Sequence, residues 1–239
     1  DKGLYALANI ALQMCSKLGH TPYVLADNGA ADRSILFCGM DVCHLAAQAL
    51  HVTSGMLLHL GDGVPADSWI CHSQAQGETI PVPFWETVLT RAGCAGRRVV
   101  IHRDGIFTTE EKSFLAGHAE AVGVAGGRFG LVEVIKHAAG TPRMYVGQEN
   151  APPGLFLRLS AEEGMLASGP STIRGTRNPI LVRVASAEPS APPAIGVEEA
   201  ARDIFRLSHL SYASLFMTPK LPLTTGAADK AAYFHAMGL

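Results

Sequence analysis

Four carboxylates stand where a side-chain oxygen could do chemistry. Asp41 follows the apolar run Ile35-Leu36-Phe37-Cys38-Gly39-Met40, and Asp104 follows Val99-Val100-Ile101-His102-Arg103. Glu78 ends the polar, flexible stretch Ser73-Gln74-Ala75-Gln76-Gly77, and Asp229 opens a short helical-looking tail, Lys230 to Met237. An acid at the end of a buried strand is costly unless a metal or a partner neutralises it. Carboxylates so placed are hard oxygen ligands for Mg²⁺ or Mn²⁺, and a pair of such ions can clamp the attacking and leaving oxygens of a phosphodiester. Each acid also has an ordinary use: capping a turn for Asp41 and Asp104, a solvated loop for Glu78, and compensation of a helix dipole for Asp229. Glu86, on the helix after Glu78, competes for the part of the loop acid. His44, His59, His102, His118 and His137 lie without ligand spacing, so zinc is not expected.

The elements that must position these acids read as follows. Residues 4–18 carry helical periodicity through Leu4, Leu7, Ile10, Ala11, Met14 and Leu18, with Gly19 as a C-cap. Residues 23–25 read as a short strand. Residues 35–41 form a continuous apolar run, the mark of a central strand buried on both faces. Residues 47–52 and 55–60 read as a hairpin turning at Thr53-Ser54-Gly55, and residues 67–73 as one more strand. Pro81 and Pro83 suit the first turn of a helix that runs to about Ala92. A strand over 98–102 ends in the Asp104-Gly105 turn. Thr108 or Thr109 with Glu110-Glu111 opens the next helix, and 128–137 is a strand. Residues 154–184 are β-rich, 189–193 form a proline-rich surface loop, and 196–210 an amphipathic helix. The order is that of an α/β chain with a ribonuclease-H-like fold, a mixed five-stranded sheet flanked by helices. In that arrangement an Asp on the first strand and an Asp ending the fourth meet across adjacent strands, and Asp41 and Asp104 occupy those two places.

Composition bounds the rest. Hydrophobic residues make up 48% of the 239-residue chain and charged ones 17%, enough apolar content for a sizeable core and too little charge for a disordered chain. Net charge is −2, so bulk basicity does not announce a polyanion partner. Local groups could: Arg91, Arg97, Arg98 and Arg103 form one, and Lys136, Arg143 and Arg177 fall in a second that spans 128–183. Five cysteines without CxxC pairing read as reduced thiols, which points to a reducing, cytoplasmic setting. No run approaches the ~18 apolar residues of a membrane span. The start, Asp1-Lys2-Gly3, lacks both a signal peptide and an initiator methionine, so the chain is expected to be a C-terminal piece of something longer.

Several stretches then fall into a known order. They are Asn9 to Gly19, Gly39-Met40-Asp41-Val42, Gln76-Gly77-Glu78, His102-Arg103-Asp104-Gly105, Val134-Ile135-Lys136-His137, Gly175-Thr176-Arg177-Asn178-Pro179, Leu221-Pro222-Leu223, and Ala228 to Phe234 with a terminal Leu239. Together they resemble the PIWI domain of Argonaute proteins, most like prokaryotic ones, with residues 1–30 as the end of a MID domain and its connection and 31–239 as PIWI. The resemblance implies a guide-directed endonuclease whose catalytic tetrad is Asp41, Glu78, Asp104 and Asp229. It implies two Mg²⁺ or Mn²⁺ ions, with Asp41 bridging them and Asp104 and Asp229 holding one each, and Glu78 as a mobile finger that closes the site. It implies cleavage of the target to 3′-OH and 5′-phosphate ends. Gln13, Lys17 and the terminal carboxylate of Leu239 would meet the guide 5′ phosphate, and Lys136, His137 and Arg177 the nucleic-acid backbone. The partners would be guide and target strands, DNA or RNA, and the remaining N, PAZ and MID domains, with no membrane. Two alternatives stay open: a catalytically silent module that binds a guide and recruits effectors, and a guide-independent ribonuclease-H-like nuclease.

Overall fold

The computed structural model describes residues 2–18, 20–25, 35–44, 52–60, 65–75, 77–136, 142–169, 178–210 and 219–236. An amphipathic helix α1 (Lys2–Lys17) leads into the strands β1 (Ile35–His44), β2 (Val52–Leu60) and β3 (Pro65–Ala75). Then come α2 (Val82–Ala92), β4 (Arg98–Asp104), α3 (Thr109–His118) and β5 (Gly130–Ile135). A two-stranded ribbon, β6 (Tyr145–Val146) and β7 (Glu149–Asn150), precedes β8 (Phe156–Arg158), β9 (Glu163–Leu166) and β10 (Ile180–Ala185). The helices α4 (Val197–Ser208) and α5 (Leu223–Ala236) follow. Among the described residues, no helix is long and apolar enough to cross a membrane.

The main sheet runs in the order β3-β2-β1-β4-β5-β10-β9-β8. Its first five strands are the ribonuclease-H-like set expected from the sequence: β1, β2 and β3 pair antiparallel, and β1, β4 and β5 pair parallel. Three antiparallel strands, the β-rich stretch after 154, extend it past β5. They add edge length without touching the order of the central five. The parallel pairs require crossovers, and α2 and α3 supply them.

Alternation along β1 feeds two cores. Leu36, Cys38, Met40 and Val42 face one side and pack with Trp85, Val88 and Leu89 of α2 and Leu115 of α3. Phe37 faces the other, with Val100, Val132 and the apolar stripe Val197, Ala200, Ile204 and Leu207 of α4. Asp41 shares the side of Phe37 and Gly39 by the two-residue period.

Three expectations need correction. Residues 52–60 are one strand, not two strands around a turn at Thr53-Ser54-Gly55. Gly55 is small because α5 crosses it there: a Cβ on Gly55 would lie 2.9 Å from the Ala228 carbonyl oxygen. Residues 23–25 carry no regular structure; the Tyr23 hydroxyl donates to the His209 carbonyl at 3.3 Å, which ties this segment to α4 instead of to the sheet. The tail helix begins at Leu223, so Asp229 sits inside α5 and does not open it. Of the expected hairpin, residues 47–51 lie outside the described residues.

Gly39 shows the same close approach more severely, since a Cβ there would collide with the backbone of Thr224 in α5. Gly39→Ala should therefore force α5 off the sheet and cost about 1–3 kcal/mol. Gly117→Ala, on α3 with nothing within 4 Å of the added carbon, should gain roughly 0.5–1 kcal/mol. Denaturant midpoints of the two variants check this, and equal shifts would contradict the packing described.

Candidate active site

Three of the four acids come together. In the parallel β1–β4 pair, Met40 is opposite Arg103, which sets Asp41 beside Asp104 at the ends of neighbouring strands. The close packing of α5 over Gly39 and Gly55 then brings Asp229 across to them. One carboxylate oxygen from each of Asp41, Asp104 and Asp229 lies within 4.8 Å of the others. Asp41 is the most enclosed, 6% exposed, whereas the side chain of Asp229 is about half open to solvent.

Burial raises the Asp41 carboxyl to about 7, with Asp104 and then Asp229 adding to the rise and Lys136 opposing it. Burial also raises Asp104, against the pull of Lys136. Lys136, one residue past β5, places its ammonium between two of the acids: Nζ pairs with Asp104 Oδ2, and lies 3.2 Å from Asp229 Oδ1. Burial alone would lower that ammonium, but the hydrogen bond to Asp104 and the surrounding carboxylates raise it. Lys136, expected from the sequence at a nucleic-acid backbone, has its ammonium among the acids in this structure. Three carboxylate oxygens converge, and a cationic group already neutralises two of the acids, so the donor set fits a hard divalent ion. Asp41, Asp104 and Asp229 are the residues that could hold it, and an all-carboxylate set favours Mg²⁺ or Mn²⁺ over zinc.

Glu78 stays outside this cluster and its side chain is exposed. Ser73, Gln74 and Ala75, read from sequence as flexible, belong to β3, and Gln76 lies outside the described residues. What holds the Glu78 backbone is a pair of residues that sequence reasoning missed. Arg103, fully buried, donates from one NH₂ group to the Glu78 carbonyl and from the other to the Asp104 carbonyl at 2.7 Å. Its Nε donates to Glu111 Oε2 at 3.1 Å. The available signal was an arginine two residues past the apolar run Val99-Val100-Ile101 of a central strand, where a buried guanidinium must find a buried acid. On the other face His102 is fully buried, with Nδ1 2.9 Å from the Thr224 hydroxyl oxygen and its ring against Phe37. It pins α5 to β4 and is not a ligand of the cluster.

Of the remaining expected residues, Gln13 is exposed on α1 and Lys17 ends that helix. His137, Arg177 and Leu239 lie outside the described residues. Glu86 is exposed on α2, away from the acid cluster.

Two outcomes follow for the protein in chelator. A folded-state value near 7 lies above the ordinary 3.8 of a carboxyl, so Asp41 favours folding fully below about pH 4 and less as pH climbs toward 7. Asp41→Asn should flatten that decline, which amounts to at most about 4 kcal/mol; unfolding free energies between pH 4.5 and 8 measure it. Lys136→Met should cost roughly 2–4 kcal/mol, somewhat under the figure for a fully buried pair. Because an ion would take the place of the ammonium, the melting temperature should rise more on Mn²⁺ addition in Lys136→Met than in the unaltered protein.

No family model matches the chain. Curated relatives do. Protein argonaute of Aquifex aeolicus (strain VF5) is 26% identical over 242 residues, covering 98% of this chain and 32% of the relative. Protein argonaute of Thermus thermophilus is 32% identical over 171 residues, 68% of this chain and 23% of the relative. Thus the chain spans a third or less of the curated proteins it matches. The structure of the Aquifex aeolicus Argonaute superposes with a TM-score of 0.74 at 25% identity, over 96% of this chain and 32% of that one. The Marinitoga piezophila Argonaute, solved in complex with 5′ OH guide RNA and target DNA, superposes at 0.69 with 15% identity, over 96% of this chain and 34% of its own. With the strand order, the three converging acids and this coverage in agreement, the chain belongs to the Argonaute family and spans the part of it that carries the ribonuclease-H-like fold.

Proposed function

We propose that residues 31–239 form a PIWI domain, preceded by the end of a MID domain in residues 1–30, and that this domain cuts the target strand of a guide–target duplex. The observation that carries the reading is the convergence of Asp41, Asp104 and Asp229, with the Lys136 ammonium against two of them. Two divalent ions, when bound, supply the positive charge that offsets the charge growing on a phosphodiester under attack. The chain supplies the rest. Asp41 and Asp104 are held by the sheet and give the site a rigid floor, while Asp229 closes it from α5. Lys136, released from the acids, lies at the rim of the same cluster, where its ammonium meets a substrate phosphate. Glu78 is the fourth acid, on an exposed segment that opens with Gly77 at φ +85°, a conformation that favours glycine. Gln13, Lys17 and Leu239 act on the guide 5′ phosphate, and His137 and Arg177 on the backbone.

A second reading has one observation in its favour. Glu78 stands outside the cluster, as it would in a guide-dependent binding module that does not cut.

The test uses a full-length protein carrying this segment, loaded with a 5′-phosphorylated guide, and all four pairings of DNA and RNA as guide and target. A single cut at a fixed distance from the guide 5′ end, present with Mn²⁺ and absent with EDTA, is expected. Asp41→Asn should slow it by roughly 10³-fold or more while duplex affinity holds. Tight guide-dependent binding without a cut would select the second reading, and Mn²⁺-dependent cutting by Asp41→Asn would refute the first.

A further inference from the structure

We propose that Glu111 is a positioning residue for the Glu78 segment, acting through Arg103; the inference rests on the proposed nuclease reading and adds to it a residue outside the tetrad. Glu111 begins as an ordinary feature. It is the N3 member of a capping box, in which the Thr108 hydroxyl accepts from Glu111 N–H at 3.2 Å and Glu111 Oε2 accepts from Thr108 N–H at 2.8 Å. Such glutamates usually lie on the surface. This one is 1% exposed, and its two oxygens accept two further donors. Ile80 N–H donates to Oε1 at 2.9 Å, and Arg103 Nε to Oε2 at 3.1 Å.

Those two donors decide what the carboxylate does. Ile80 lies two residues after Glu78, so one oxygen of Glu111 holds the downstream side of the Glu78 segment. The other oxygen aims the guanidinium of Arg103, whose two NH₂ groups hold the carbonyls of Glu78 and Asp104. A single planar fork thereby sets the backbone separation of two tetrad acids. The segment has a fixed point at Glu78–Ile80 and a glycine at φ +85° just before it. The segment is held from Glu78 to Ile80, and the Glu78 Cα stays within the reach that Asp104 defines.

The test pairs two readouts on the guide-loaded full-length protein: amide exchange across residues 77–82, and single-turnover cleavage of a complementary strand with Mn²⁺. Glu111→Gln keeps an oxygen for the cap but removes the charge that aims Arg103. Exchange at Ile80 should speed at least about 10-fold while Val100 and Leu131 keep their rates. Cleavage should fall by roughly 10²-fold with duplex affinity unchanged. Thr108→Ala, which removes the cap hydroxyl alone, should leave the exchange of 77–82 and the cleavage rate as they were. Exchange of 77–82 unchanged in Glu111→Gln would overturn the proposal, as would faster exchange with cleavage intact at temperatures below melting. If the unaltered protein does not cut at all, the nuclease reading falls, and the exchange result alone decides whether Glu111 holds the segment. Should Glu111→Gln not fold, Arg103→Lys carries the same test, since a point charge cannot serve both carbonyls at once.

Discussion

Like charges held close together are the constraint around which this chain is organised. Two ionised carboxylates ~4 Å apart repel by about 1 kcal/mol in water and about 4 kcal/mol at a partly screened protein surface. Three of them meet here within 4.8 Å, one nearly enclosed. Nothing local in the sequence would hold such a group together. The sheet does it for Asp41 and Asp104, because parallel neighbours with fixed register cannot slide apart without flipping side chains to the wrong face. The glycines at 39 and 55 do it for Asp229, by letting a helix lie close on the strands. Lys136 offsets part of the repulsion, while burial first and then the neighbouring acids keep the Asp41 carboxyl raised.

Three consecutive residues of β4 show how one strand serves both faces of the sheet and its end. His102 points to the α5 side and bonds Thr224, so it ties down the helix that carries Asp229. Arg103 points to the α3 side and ties Glu78, Asp104 and Glu111 together. Asp104 ends the strand and enters the acid cluster. Glu133, buried on β5, adds a further restraint by accepting from Phe107 N–H at 3.0 Å, which fixes the turn just past Asp104. The turn is thus held from two sides by buried carboxylates, each hydrogen-bonded as a buried charge has to be.

Much of this was legible in the residues, for identifiable reasons. Ile35 to Met40 is apolar at every position but Gly39, and only a central strand buries both faces of such a run. The Asp104-Gly105 turn and the Thr108 cap carry local signals of one or two residues. Legibility failed where a residue answers to a distant partner. Gly55 looked like a turn because its true neighbour, Ala228, is far off in sequence. Asp229 looked like a helix start because Leu223 to Ala228 offers no cap or charge pattern of its own. Lys136 looked like a surface cation because the acids it neutralises come from a different strand and a different helix. Arg103 and Glu111 are ordinary members of a turn and a cap until the fold buries both.

In sequence, the exposed turn at Glu188, Pro189 and Ser190 lies between Asp41, Asp104 and Lys136 on one side and the helix that carries Asp229 on the other. A backbone severed there would leave two pieces, neither with a complete ligand set. The first would keep a lysine paired with one acid, and the second a lone aspartate on a helix whose glycine-lined bed is on the other piece. Divalent-ion binding would then depend on the concentration of both pieces, and the site would become a reporter of their reassociation.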